Sequence, residues 1–124
     1  MWYQGFIVAI GGFIGGAMRF LAVTLLGKVI VNVFPYGTLA VNILGCLLIG
    51  LFMGFSEKHV SFNPDLRLFL ATGICGGFTT FSTFAYENYL LLKTEHYLLF
   101  AAYAIASYGL GVLSVFIGLL ISKS

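Results

Sequence analysis

Four long segments of the chain carry no Asp, Glu, Lys or Arg. They are residues 1–18, 29–56, 68–86 and 97–122, which are runs of 18, 28, 19 and 26 residues. A helix needs roughly 20 mostly apolar residues to cross the hydrocarbon core of a bilayer. The runs are continuously apolar and lack the alternation over segments of about 10 residues that a membrane β-barrel requires. The pattern predicts an all-α membrane protein with four transmembrane helices, at about 4–26, 37–55, 65–91 and 98–121.

The amino-acid composition also indicates a membrane protein. Of the 124 residues, 60% are hydrophobic and 8% are charged, and the mean hydropathy is +1.06. Soluble domains carry about 25% charged residues, and a globule of this size has too little interior to hide so much apolar surface. The composition excludes a soluble enzyme, a nucleic-acid-binding protein and a disordered tail. We interpret residues 1–124 as a single four-helix transmembrane domain whose first apolar run is a span, because no basic residue precedes it as in a cleavable signal.

Lysine and arginine are evenly divided between the two sides of the membrane that four crossings define. The two sets are Lys58, Arg67 and Lys123 on one side, and Arg19, Lys28 and Lys93 on the other. Orientation normally follows an excess of these residues on the cytoplasmic side. The balance favours dual topology, in which copies insert in both orientations and pair as an antiparallel homodimer. The alternative is a weak orientation signal in a small protein.

The third predicted span contains a dense motif of glycine, threonine and serine. It runs from Gly73 to Phe84 with the sequence GICGGFTTFSTF. Adjacent glycines weaken a helix, and hydroxyl side chains can satisfy backbone groups that a break frees. We predict that the third helix is broken mid-membrane near Gly76–Thr80, where freed carbonyls can coordinate a cation. The alternative is a kinked helix whose hydroxyl side chains serve packing.

Other polar and aromatic side chains in the predicted spans favour a pathway for an anion. Asn42 must face another helix or a pore, because an amide facing lipid leaves its donors unsatisfied. Phe81 and Phe84 share a helix face, and an aromatic ring has a positive edge. Tyr103, Ser107 and Ser114 form a line of hydroxyl groups on one stripe of the fourth span, which either serves helix packing or lines a pathway. Proton-coupled transporters use intramembrane carboxylates, and none lies deep in a span here.

Three motifs occur in order along the chain. They are Gly12-x-x-Gly15-Gly16-Ala17-x-Arg19-Phe20, Gly37-Thr38-Leu39-x-Val41-Asn42-x-x-Gly45, and Gly76-Gly77-Phe78-Thr79-Thr80-Phe81-Ser82-Thr83-Phe84. With the length and the four spans, they resemble the Fluc (CrcB) family of fluoride ion channels over the whole chain. The resemblance implies a fluoride-selective passive channel rather than an enzyme. Such a channel lies in the cell (inner) membrane as a multi-pass protein and exports cytoplasmic fluoride, which lowers its toxicity.

The resemblance also implies an assembly and a set of site residues. Family members form antiparallel, dual-topology homodimers with two fluoride pores and a structural sodium ion at the dimer interface. The implied pore residues are Asn42, Phe81, Phe84, Ser82, Thr83, Tyr103 and Ser107. Thr38 and Glu87 are implied at the pore ends, in the vestibules. Arg19 is the one strong charge near a span interior, and its position is consistent either with snorkelling to the interface or with lining a vestibule. The sodium ion, the one expected cofactor, would be held by the backbone carbonyls of Gly76 and Thr79.

Two other classes of protein share some of these features. A small dual-topology multidrug exporter has a similar size, but such exporters carry a membrane-embedded glutamate in the first span, and residues 1–18 contain none. A non-transporting assembly subunit does not need so many hydrogen-bond donors within the membrane. The expected partners are therefore fluoride, the lipid bilayer and a second copy of the chain, with no nucleic acid.

Overall fold

The computed structural model of the chain describes residues 1–29, 34–59 and 63–124, without the side chains of residues 28 and 29. The Lys28 side chain, counted above for the orientation, lies outside this part. Helices account for every regular element of the described residues. They are α1 (Trp2–Val29), α2 (Tyr36–Lys58), α3 (Pro64–Arg67), a π-helix (Leu68–Cys75), α4 (Gly76–Phe78), α5 (Phe81–Lys93) and α6 (Tyr97–Lys123).

Four helical stretches within the described residues are long and apolar enough to cross a membrane. They are Trp2–Gly27, Tyr36–Lys58, Pro64–Lys93 and Tyr97–Lys123. Each end lies one to three residues beyond the predicted bound. The predicted all-α fold with four spans is confirmed, whereas the assignment of the chain to one domain stays a prediction.

The third span starts at a capped helix end. The Asn63 side chain accepts a hydrogen bond from the backbone N–H of Asp65 at 2.8 Å, and Pro64 occupies the first helical position. Proline is suited to this position because its missing N–H has no partner there in any case. The acidic Asp65 also lies near the positive end of the helix dipole.

Glycines allow the helices to pack with their backbones in close approach. A Cβ added to Gly11 of α1 would lie 2.7 Å from the carbonyl oxygen of Phe69 in the π-helix. A Cβ added to Gly118 of α6 would lie 2.5 Å from the carbonyl oxygen of Leu47 in α2. Small residues bring membrane helices together where lipid provides no hydrophobic drive. The chain therefore contains two tight pairs, α1 with the first half of the third span and α2 with α6.

The third span is interrupted between α4 and α5. Thr79 (φ −88°, ψ 159°) and Thr80 (φ −150°, ψ 125°) have extended backbone conformations. The predicted break is therefore present, and it lies at the two threonines. Gly76 is helical (φ −62°, ψ −38°), and a Cβ on Gly77 would lie 2.5 Å from the carbonyl oxygen of Gly12. Gly77 thus serves the contact with α1 rather than the break itself.

Candidate functional site

An open cavity of about 390 Å³ lies beside the break, between α2, the α4–α5 connection and α6. Six residues that the sequence singled out line it, namely Asn42, Phe81, Phe84, Ser107, Gly76 and Thr79. The remaining lining residues are Gly45, Cys46, Ile49, Cys75, Thr80 and Tyr108. None of these lining residues carries a charged side chain. The wall thus combines an amide, hydroxyl groups and aromatic rings in a neutral setting.

Asn42 binds the break through both ends of its amide group. Its Nδ2 donates to the carbonyl oxygen of Thr80 at 3.1 Å, and its Oδ1 accepts from the N–H of Thr80 at 2.9 Å. The sequence left an interhelical bond and a pathway lining open. The structure shows the interhelical bonds and places Asn42 in the cavity wall, while a role in a pathway stays a prediction. A primary amide has two N–H donors, so one donor remains beside the cavity.

Three further side-chain bonds stabilise the backbone around the break. Arg19 Nε donates to the carbonyl oxygen of Gly77 at 3.3 Å, which places the guanidinium at the carboxyl end of α4. The hydroxyl of Thr79 donates to the carbonyl oxygen of Cys75 at 2.9 Å. The hydroxyl of Thr80 caps α5 by accepting from the N–H of Thr83 at 3.2 Å. A cation at a helix carboxyl end is stabilised by the helix dipole, so the carboxyl end of α4 is a favourable place for the charge of Arg19.

Aromatic rings form a continuous row that starts at the cavity. The ring centroids of Phe81 and Phe84 are 5.8 Å apart, and those of Phe84 and Tyr103 are 4.9 Å apart. Phe34 continues the row with a T-shaped contact to Tyr103 at 5.5 Å. The sequence analysis missed Phe34, because it precedes Pro35 in a connection where helical periodicity gives no signal. The row ends at Tyr36, whose ring centroid lies 4.8 Å from that of Phe34.

Glu87 is held by two buried hydroxyl groups. Thr38 Oγ1 donates to Glu87 Oε2 at 2.9 Å, and the Tyr103 hydroxyl donates to Glu87 Oε1 at 2.8 Å. Thr38 is 1% exposed and Tyr103 is 0% exposed. The structure thus joins two predicted vestibule residues, Thr38 and Glu87, to a predicted pore residue. The three side chains form a polar cluster that links α2, α5 and α6.

The hydroxyl groups along α6 and at the start of α5 have different surroundings. The Ser107 hydroxyl is buried at the cavity and has no hydrogen-bond partner within the described residues. Ser114, farther along the same stripe, donates to the carbonyl oxygen of Leu110 in its own helix. Ser82 lies 3.4 Å from the Thr80 hydroxyl, oxygen to oxygen, and neither Ser82 nor Thr83 lines the cavity. The polar stripe predicted on α6 therefore does not form one uninterrupted line.

Two backbone carbonyls at the break lack a side-chain partner within the described residues. Side chains donate to the carbonyls of Cys75, Gly77 and Thr80, but among the described residues none donates to those of Gly76 or Thr79. No group of three or more His, Cys, Asp or Glu in the described ranges is placed to hold a metal ion. Freed carbonyls at a broken membrane helix are suitable ligands for Na⁺. The two carbonyls that the resemblance implied as sodium ligands are thus free of side-chain partners.

Comparison with known proteins decides the family. A family model described as CrcB-like protein, Camphor Resistance (CrcB), matches residues 6–119. The chain belongs to the CrcB family. The resemblance inferred from the motifs is confirmed, and the family is a channel family rather than that of the exporter considered as an alternative.

Relatives in this family match the chain over nearly its whole length. A protein of Flavobacterium psychrophilum is 44% identical over 118 residues, which cover 95% of each chain. A protein of Leptospira interrogans is 42% identical over 118 residues, covering 95% of this chain and 93% of the relative. A protein of Aquifex aeolicus is 40% identical over 119 residues, covering 96% of each. All three are named fluoride-specific ion channel FluC. They are channels rather than enzymes, in agreement with the prediction that this chain is not an enzyme.

Proposed function

We propose that the protein is a fluoride-selective passive ion channel that exports cytoplasmic fluoride. The observation that carries the proposal is the neutral cavity beside the break, lined by Asn42, Ser107, Phe81 and Phe84. The chain's membership of the CrcB family, whose relatives are named fluoride-specific ion channel FluC, also supports fluoride as the conducted ion.

The lining offers what a small, strongly hydrated anion needs. Conduction requires binding that is favourable enough for entry and weak enough for exit. The free N–H of Asn42 and the unpartnered hydroxyl of Ser107 are donors that replace water around fluoride. The positive edges of aromatic rings attract an anion without the strength of a fixed charge. Arg19, at the carboxyl end of α4, raises the local anion concentration by its charge.

The proposed assembly is an antiparallel, dual-topology homodimer with two pores. The even distribution of lysine and arginine supports it. The cavity is also open on the side of Phe81 and Tyr108, which are each 78% exposed and which a second copy would cover. A structural sodium ion at the dimer interface would be held by the carbonyls of Gly76 and Thr79, and would supply a fixed positive charge there.

The proposed location is the inner membrane of the cell, where fluoride export needs no pump. In an acidic medium fluoride enters the cell as neutral HF, which releases its proton in the less acidic cytoplasm and is trapped there as the anion. A unit charge gains about 2.3 kcal/mol for each 100 mV of membrane potential. A negative interior therefore drives the anion outward through a passive, selective path.

Efflux from liposomes tests the proposal. Purified protein is reconstituted into vesicles loaded with potassium fluoride and potassium chloride. A potassium ionophore is added so that K⁺ leaves with the anion and no opposing membrane potential builds up, and ion-selective electrodes record the release of each anion. The expected result is rapid loss of fluoride and retention of chloride. Equal release of both ions, or no release from folded protein, contradicts the proposal.

A further inference from the structure

The hydrogen bonds at the break redirect two backbone N–H groups that a continuous helix would use. In an α-helix each N–H donates to the carbonyl four residues earlier, so Thr80 would donate to Gly76 and Thr83 would donate to Thr79. Instead, the N–H of Thr80 donates to Asn42 Oδ1 at 2.9 Å. The N–H of Thr83 donates to the Thr80 hydroxyl at 3.2 Å.

Each redirected N–H leaves one carbonyl oxygen without its helical donor, and these are the carbonyls of Gly76 and Thr79. We propose that Asn42 and the Thr80 hydroxyl are the positioning residues that release these two carbonyls for a hard cation. The inference rests on the proposed function for the identity of the ion, and it adds the residues that create its ligands. Asn42 thereby lines the cavity proposed for the anion and also positions the ligands proposed for the cation.

The geometry explains why an asparagine stands at this position. Thr80 is extended, and an extended residue presents its N–H and its C=O to the same side, as in an antiparallel pair that exchanges both bonds. A side-chain amide has the matching donor and acceptor. A carboxylate offers no donor for the Thr80 carbonyl, and alanine offers neither group. The Asn42 amide therefore takes the place of a neighbouring peptide and prevents the helix from closing through Thr80.

Hydrogen exchange and sodium-dependent unfolding test this role without relying on transport. Wild type, Asn42→Ala and Thr80→Ala are purified in detergent, together with Ser107→Ala, which removes a group of the same cavity that bonds nothing at the break. Exchange at the Thr80 amide is followed by mass spectrometry of overlapping peptides. The unfolding temperature is measured against Na⁺ concentration, with N-methylglucamine as the replacement cation.

We expect Asn42→Ala to raise exchange at the Thr80 amide about tenfold, the ratio set by one net hydrogen bond. Asn42→Ala and Thr80→Ala, the two break variants, are expected to need several-fold more Na⁺ than wild type for the same rise in unfolding temperature. Ser107→Ala is expected to show the Na⁺ dependence of the wild type. If Asn42→Ala does not fold, the Na⁺ dependence of the unfolding temperature of Thr80→Ala tests the inference by itself. Wild-type Na⁺ dependence in the folded break variants overturns the inference, as does an absence of Na⁺ stabilisation in the wild type. Loss of fluoride selectivity in liposomes would instead contradict the proposed function, so the two failures are distinguishable.

Discussion

Replacing Tyr103 by phenylalanine removes one hydroxyl from a position with 0% exposure. The ring contacts to Phe84 and Phe34 remain, because the aromatic ring is unchanged. The change removes the hydrogen bond from the hydroxyl to Glu87 Oε1, at 2.8 Å. A hydrogen bond to a charged group contributes about 1.5–3 kcal/mol to stability. We therefore expect the free energy of unfolding to fall by about that amount, with no change in the helical content.

The assay is equilibrium unfolding of the purified protein in mixed micelles, followed by circular dichroism. Tyr97→Phe is the matched control, because Tyr97 is 60% exposed and its hydroxyl has no hydrogen bond within the described residues. Thr38→Val removes the bond to the other oxygen of Glu87 and is expected to cost a similar free energy. If Tyr103→Phe unfolds with the same free energy as Tyr97→Phe, the polar cluster does not stabilise the packing of α5 on α6, and the reasoning is refuted.

Three further substitutions separate packing from transport. Phe81→Ile removes a ring from the cavity wall and is expected to reduce fluoride efflux from liposomes, and an unchanged rate would remove the ring-edge argument. Gly11→Ala places a Cβ 2.7 Å from the Phe69 carbonyl oxygen and is expected to lower the free energy of unfolding by about 1–3 kcal/mol. The control Gly5→Ala, in the same helix, meets no atom within 4 Å and is expected to leave this free energy unchanged. Equal losses in the two variants would refute the close-packing argument. Ser107→Ala is expected to slow fluoride efflux. The free energy of unfolding is expected to stay unchanged or rise, because the buried hydroxyl has no hydrogen-bond partner within the described residues. A clear loss of stability would show that the hydroxyl is bonded.

The spans were predictable from the sequence because the bilayer imposes one length and one polarity on every crossing. The long charge-free runs needed only to be compared with the length of a membrane-spanning helix. The break was predictable because glycines and hydroxyl groups are concentrated in one span. Its exact position was not, since Gly77 packs against Gly12 of α1, a contact between residues that lie far apart along the chain.

Candidate site residues were recognised from their chemistry, but their partners were not. Nothing in the sequence indicated that Asn42 would pair with both backbone groups of Thr80, because that contact joins two spans. The stripe of Tyr103 and Ser107 was read from helical spacing alone. In the structure Tyr103 donates to Glu87, while Ser107 lines the cavity and has no hydrogen-bond partner in the part of the chain that the structure describes. Periodicity gives the face of a helix, and only tertiary contacts decide what each side chain on that face bonds.

The most direct test of the central claim is the reversal potential of the current through purified protein in a planar bilayer. One chamber contains sodium fluoride and the other sodium chloride, and the fluoride concentration is then changed stepwise. If the protein is a passive fluoride-selective channel, the reversal potential moves by about 59 mV for each tenfold change in fluoride concentration, which is the value for a single charge. It does not depend on chloride. A reversal potential that follows chloride or sodium contradicts the account.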